Sequence, residues 1–274
     1  MICSPLIKTF VLEKNDKKNI TLTAYVASVT DELPYNQKRP GVIICPGGAY
    51  RYLSNREGEP PALAFLAAGI NAFVLDYSAA DDGTGKTFPS QLIEIATAIK
   101  FVKDNAEEFH VDPEKIFVNG YSAGGHLAAS LGTLHSSSYV KEALGVSDNE
   151  LRPAGMVLAY PVITSGEKAH RGSFNNLLGE KANDPEALRA VSLEHQVDDN
   201  TPPAFIWHTR TDGAVPVENS LLFATALAAH NVPFEMHIYP EGPHGMSLAT
   251  DVVRTADPHV AEWFSAAVRW IKNI

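Results

Sequence analysis

The chain has 274 residues, 45% hydrophobic and 20% charged, enough to bury the core of one large globular domain or of two small ones. A formal net charge of −10 argues against a general polyanion-binding surface, and so against nucleic acid as a partner. The two cysteines, Cys3 and Cys45, have no metal-binding or paired spacing and read as free thiols, and the absence of a leader pattern or a long apolar run predicts a soluble, cytoplasmic chain with no membrane partner.

In chain order, apolar and β-branched runs at 20–26 and 41–45 predict two strands, residues 61–68 a helix, and 71–75 a third strand. Residues 88–108 predict a longer helix, because Leu92, Ile95, Ala96, Ile99 and Val102 recur at the three- and four-residue spacing of one buried face. A strand at 115–119, a helix at 125–134 and a strand at 155–159 follow. Residues 163–200 are polar and broken by Gly166, Gly172, Gly179 and Pro185, so they read as an irregular insertion over the strand ends. Strands at 204–209 and 235–239 alternate with helices at 217–230 and 258–272. Strands separated by helices predict an α/β fold with a mostly parallel central sheet and helices on both faces, and no repeat or linker divides the single domain expected over 1–274.

Gly120-Tyr121-Ser122-Ala123-Gly124 falls at a strand-to-helix junction. There, small flanking residues let a strained turn project a serine from a strand end, which makes Ser122 a candidate nucleophile. Attack on an acyl carbon also needs a base and fixed donors for the developing oxyanion. Pro46-Gly47-Gly48-Ala49-Tyr50 follows the strand at 41–45, so the backbone N–H of Gly48 or Ala49 could join that of Ala123 as the oxyanion hole. Asp212 follows the strand at 204–209, and His244, between Pro243 and Gly245, follows the strand at 235–239. In that order they supply the acid and the general base. Asp198 and Asp199 compete with Asp212 but lack a preceding strand; of the nine other histidines, seven lie in or beside predicted helices and strands, where structural roles are expected, and His170 and His259 lie on polar or helix-start segments. His126, directly after the elbow, is expected to pack behind the nucleophile.

With Pro46 to Tyr50, Val111 to Ile116, Gly120 to Ala128, Asp212 to Pro216 and His244-Gly245 in place, the chain resembles the α/β-hydrolases of the esterase/lipase group related to hormone-sensitive lipase. Within that group it is most similar to compact bacterial acetyl, acetylxylan and feruloyl esterases. The resemblance implies a Ser122, Asp212, His244 triad, oxyanion donors at Gly48, Ala49 and Ala123, and an α/β-hydrolase fold. It also implies a short acyl ester, or an acetylated sugar or xylo-oligosaccharide, as the small-molecule partner. Two departures are Pro46 where the group's motif begins with histidine and Ala49 where a third glycine is common. A peptidase or an arylformamidase could use the same constellation, and a noncatalytic binding protein could keep the fold. No phosphate loop, metal-ligand cluster or cofactor fingerprint is present in the sequence, so no cofactor and no metal are expected; a homodimer is plausible.

Overall fold

The computed structural model describes residues 5–30, 32, 38–147, 149–253 and 255–274. Cys3 lies outside them, and Cys45 is a buried free thiol. In chain order the elements are β1 (Leu6–Glu13), β2 (Ile20–Val26), β3 (Arg39–Cys45), α1 (Glu59–Ala67), β4 (Asn71–Asp76), α2 (Ser90–Asp104), β5 (Val111–Tyr121), α3 (Ala123–Leu134) and α4 (Ser138–Leu144). They continue with β6 (Met156–Ala159), α5 (Arg171–Leu178), α6 (Pro185–Ala190), β7 (Ala204–Thr209), α7 (Glu218–Ala229), β8 (Phe234–Tyr239) and α8 (Pro258–Asn273).

The strands form one eight-stranded sheet in the order β1-β2-β4-β3-β5-β6-β7-β8. β1 and β2 run antiparallel, and every pairing from β4 to β8 is parallel. This is the α/β-hydrolase architecture. Because successive strand side chains point to opposite faces, the run Val42-Ile43-Ile44-Cys45 feeds two cores at once. Val42 and Ile44 pack with Phe65 of α1 and Trp263 and Ile271 of α8. Ile43 and Cys45 pack on the other face with Leu92 and Ile99 of α2, Leu127 of α3 and Phe223 of α7. A strand buried on both sides must be apolar throughout, which is why β3 reads as a continuous hydrophobic run rather than an alternating one.

The helix faces obey the same logic. Leu92, Ile95, Ala96, Ile99 and Val102 of α2 are all buried, as their spacing predicts. In α8, Val260, Trp263, Ala267 and Ile271 form the buried stripe, and Asp257 caps its start by accepting from the N–H groups of His259 and Val260. Truncating Trp263 to alanine would cost about 3–5 kcal/mol by emptying this seam.

Three features depart from the expected layout. β1 was not anticipated: it pairs with β2 at the sheet edge, and only Phe10 and Leu12 lean toward the core. α4 was also unexpected. Residues 163–200 are not irregular throughout, since they carry α5 and α6. Among the described residues no helix is long and apolar enough to cross a membrane.

The connections from β3 go to β4 on one side, whereas β5 pairs on the other. The strand order therefore reverses at β3 and β5, and the crevice outside their carboxyl ends is where open α/β sheets place ligands. The loop after β3 begins with Pro46, and Ser122 follows β5 directly.

Candidate active site

One residue, Ser122, separates the end of β5 at Tyr121 from the start of α3 at Ala123. Its backbone takes φ 55° and ψ −119°, a conformation that costs an L-residue about 1–3 kcal/mol and persists only when its surroundings over-determine it. They do so here through hydrogen bonds. Ser122 N–H donates to the Ala159 carbonyl at 3.0 Å, and the Ser122 carbonyl accepts from His126 N–H and Val162 N–H, each at 3.1 Å. The turn also needs bare backbone on both sides. A Cβ on Gly120 would lie 2.1 Å from the Gly124 carbonyl oxygen, and one on Gly124 would lie 2.0 Å from that of Cys45.

The elbow directs the Ser122 hydroxyl at His244, whose Nε2 lies 2.8 Å from Oγ. His244 Nδ1 lies 2.6 Å from Asp212 Oδ2. An ionised carboxylate only accepts, so Nδ1 carries the proton and Nε2 is left to accept from the serine hydroxyl. Asp212 stands on the loop after β7 and His244 on the loop after β8, as their positions in the sequence predict. Burial pushes the Asp212 pKa up, but hydrogen bonds from His208 and His244, with the His244 charge and the Val215 N–H, outweigh it and hold the carboxyl well below its usual range. Its other oxygen accepts from the N–H groups of Ala214 and Val215 at 2.8 and 2.9 Å.

His208 is a partner the sequence reading assigned only to structure. Its Nε2 donates to the Val215 carbonyl at 3.0 Å and lies 3.3 Å from Asp212 Oδ2, while Nδ1 accepts from Ser220 Oγ at 2.8 Å. Fully buried, it contacts the same carboxylate oxygen as His244. The competing acids are elsewhere. Asp199 is a surface residue paired with His230, and Asp198 caps its own turn through Asn200 N–H and Thr201.

Gly48 and Ala49 line a cavity of about 190 Å³ together with Tyr52, Ser54, Arg56, Glu57, Ser122, His170 and His244. Gly48 has φ 127°, and a Cβ there would fall 2.0 Å from the Tyr52 carbonyl oxygen, so only glycine makes this turn. Ala49 and Tyr50 take φ 58° and 55°, and the Ala49 carbonyl is tied down by Asn176 Nδ2 of α5 at 2.9 Å. Ala123, the residue after the nucleophile, is the first of α3, so its N–H belongs to the helix N-terminus that Ser122 caps.

Glu57 is the residue that sequence reasoning missed. Only 2% exposed, it accepts from Gly47 N–H at 2.9 Å through Oε2 and from the Tyr160 hydroxyl at 2.8 Å through Oε1. The Tyr160 hydroxyl in turn accepts from Ser247 N–H at 2.8 Å, and its ring packs edge-on against His244 with centroids 5.0 Å apart. One buried carboxylate thus links the glycine loop to the histidine loop. His126 packs behind the nucleophile, as expected: Nε2 donates to the Val191 carbonyl at 2.8 Å, and Nδ1 accepts from the Tyr50 hydroxyl at 2.9 Å. Burial pushes its pKa down to about 4, so it stays neutral. His170, ahead of α5, brings the 163–200 segment to the cavity wall; its pKa is lowered by burial and then by the nearby His244.

Among the described residues no group of three or more histidine, cysteine, aspartate or glutamate side chains is placed to hold a metal ion. Acyl transfer by a serine, a histidine and a carboxylate is chemistry this arrangement can support without one.

Comparison with known proteins gives this site a context. The BD-FAE family model matches residues 32–227. The chain belongs to the BD-FAE family. Among curated relatives, it is 41% identical over 214 residues to endo-1,4-beta-xylanase B of Butyrivibrio fibrisolvens, covering 78% of this chain and 33% of that protein. It is 29% identical over 248 residues to the acetylxylan esterase of Xylanibacter ruminicola, covering 89% of this chain and 47% of that protein. The BD-FAE chain therefore spans between a third and a half of these two relatives. Among solved structures, the acetyl ester-xyloside bifunctional hydrolase of Caldicellulosiruptor lactoaceticus superposes with a TM-score of 0.83 at 37% identity, covering 97% of this chain and 96% of the other.

Proposed function

We propose that this BD-FAE chain is a serine carboxylic-ester hydrolase that removes short acyl groups, acetyl above all, from sugars or xylo-oligosaccharides. The observation that carries the reading is the unbroken relay from Ser122 Oγ through His244 to Asp212, at 2.8 and 2.6 Å, with the serine held in a strained turn. In the proposed reaction, Oγ attacks the acyl carbon as its proton passes to His244 Nε2. The oxyanion is met by Ala123 N–H and by Gly48 or Ala49 N–H, with Asp212 stabilising the imidazolium. His244 then protonates the departing alcohol, and water, activated by the same imidazole, releases the acid and restores the serine.

A cavity of about 190 Å³ suits a short acyl group better than a long chain. A wider groove of about 430 Å³, lined by Tyr25, Pro46, Asn55, Glu59 and Asp76, shares Ser54 with the cavity and offers room for the alcohol. The sugar half of the reading is supported by the relatives: one is named a xylanase, and the names of the two others combine xylan or xyloside chemistry with acetyl-ester hydrolysis. Residues 163–200 serve in this proposal as the wall of the substrate site, through His170 and the Asn176 tie to Ala49.

The test is acetate release from acetylated xylo-oligosaccharides by the wild-type chain and by Ser122→Ala, with formamides and simple aryl esters assayed beside them. Release by the wild type with a loss on the order of 10³-fold or more in Ser122→Ala is the expected result. Equal release by both proteins would refute the nucleophile, faster turnover of formamides would move the chain to amide hydrolysis, and failure of Ser122 to react with a fluorophosphonate would favour a binding protein.

A further inference from the structure

Arg56 lines the cavity that holds Ser122 and His244. Among the described residues its guanidinium has no hydrogen-bond or ion-pair partner, and Nε is buried without one. A neighbouring carboxylate is close in sequence, but Glu57 spends both oxygens on Gly47 N–H and the Tyr160 hydroxyl. The position of Arg56 is nonetheless fixed. Ser247 Oγ donates to the Arg56 carbonyl at 2.7 Å, and the guanidinium lies against Gly245, where an added Cβ would fall 2.6 Å from Nη2. A side chain there would displace it. The residue after His244 is thus a glycine with φ 77° that leaves room for the guanidinium of a residue lining the same cavity as Ser122.

Holding a guanidinium partly out of water with no acceptor is unfavourable, and the cost is offset only when a ligand supplies the acceptor. Arginine's planar fork matches a carboxylate with two parallel hydrogen bonds, which a neutral ester or a sugar hydroxyl cannot offer. With a net charge of −10 the chain as a whole repels anions, so general attraction of anions does not account for a cation in this cavity.

We propose that Arg56 is a specificity-determining residue that binds a carboxylate carried by the ester substrate. The inference rests on the ester-hydrolase reading and refines its substrate class to acidic esters. The carboxylate can belong to the acyl part, as in a dicarboxylic hemiester, or to the alcohol part, as in an acetylated uronic acid.

Both sources are separable by paired substrates: nitrophenyl hemisuccinate against nitrophenyl valerate for the acyl side, and acetylated glucuronic acid against acetylated glucose for the alcohol side. The readout is the ratio of kcat/KM for the acidic ester to that for its neutral partner. In Arg56→Met this ratio should fall about tenfold or more in one of the two pairs, and Arg56→Lys should recover part of it. The pair that responds identifies which side carries the acid. A ratio unchanged within about twofold in both pairs overturns the proposal. A second measurement is independent of turnover: calorimetric titration of Ser122→Ala, with and without Arg56→Gln, by the hemisuccinate and by acetylated glucuronic acid. Loss of affinity for one of them on removing the guanidinium is expected; equal affinities refute the role of Arg56. If the wild type cleaves none of the esters, the ester-hydrolase reading falls, and the titration still decides whether Arg56 binds a carboxylate.

Discussion

Tyr160, at the end of β6, donates its hydroxyl to Glu57 at 2.8 Å across a separation of 103 residues, and the same oxygen accepts from Ser247 N–H at 2.8 Å. Through these two bonds and the Glu57 bond to Gly47 N–H, the loop bearing Gly48 and Ala49, the proposed oxyanion donors, and the loop bearing His244 share one buried anchor. Burial, followed by the Glu57 charge, keeps the phenol far above its usual pKa, so it remains a donor at every working pH. Tyr160→Phe would leave Glu57 Oε1 and Ser247 N–H buried and unpaired. The expected cost is about 2–4 kcal/mol in a denaturant titration, with a lower kcat as both loops lose their register. A variant with wild-type kcat would show that the anchor has no part in positioning the site.

Asp212 Oδ2 lies against both His244 Nδ1, at 2.6 Å, and His208 Nε2, at 3.3 Å. Asp212→Asn keeps the oxygen that accepts from Ala214 and Val215, so the loop should stay folded, but an amide N–H₂ turned toward His244 Nδ1 would oppose donor to donor. The imidazole then loses its tautomer, and kcat should drop by about 10⁴ with little change in the circular dichroism spectrum. Linkage gives a second check. A carboxyl whose folded pKa is depressed contributes stability that is present above its unfolded value and is lost as pH falls through the folded one. Wild type and Asp212→Asn should therefore differ in stability most at neutral pH and converge in strong acid. An unchanging difference down to pH ~2 would contradict the assigned charge state.

How much of this was legible in the sequence follows from how local each signal is. The bounds of β2 and β7, Ile20–Val26 and Ala204–Thr209, are those read from apolar and β-branched runs, because β2 alternates buried residues with half-buried threonines and β7 is buried along its whole length. That Ser122, Asp212 and His244 stand on loops or turns at strand ends was readable, because glycine and proline punctuation follows an apolar run at each. β1 was not, since an edge strand needs backbone pairing more than burial, and its residues are mostly exposed. α6 carries a start signal in its sequence: Asp184 caps it by accepting from Glu186 N–H, with proline at the first position. Glu57 had none. A glutamate in Asn55-Arg56-Glu57-Gly58 looks solvated, and its role exists only through partners 10 and 103 residues away.

The glycines of the elbow differ sharply in what they can tolerate. Gly124→Ala would place Cβ 2.0 Å from the Cys45 carbonyl oxygen and 2.5 Å from that of Pro46, and backbone at the end of a central strand has nowhere to move. Gly213, beside Asp212, has nothing within 4 Å of an added Cβ. Gly124→Ala should yield inactive and largely unfolded protein, whereas Gly213→Ala should melt within about 0.5 kcal/mol of wild type and keep its activity. Soluble, active Gly124→Ala would mean that α3 can shift away from β3 and that the elbow is less constrained than its contacts imply.

His126 supplies the pH dependence that can be attributed to one group. Burial lowers its pKa to about 4 from 6.5, because a proton on the ring would be carried into a site enclosed by Tyr50, Phe174 and the Val191 carbonyl. The unfolded chain binds a proton at this residue below pH ~6.5 and the folded chain does not. Stability is accordingly greatest above that value and falls as the pH is lowered toward 4, where the folded form begins to take up the proton. The total attributable to one such group is about 3 kcal/mol, lost between the two pKa values. His126→Gln keeps a donor for the Val191 carbonyl but cannot titrate. Its unfolding free energy, measured in urea across pH ~4 to ~7, should vary less steeply than the wild type's by up to one proton, and parallel curves would show that acid sensitivity arises elsewhere.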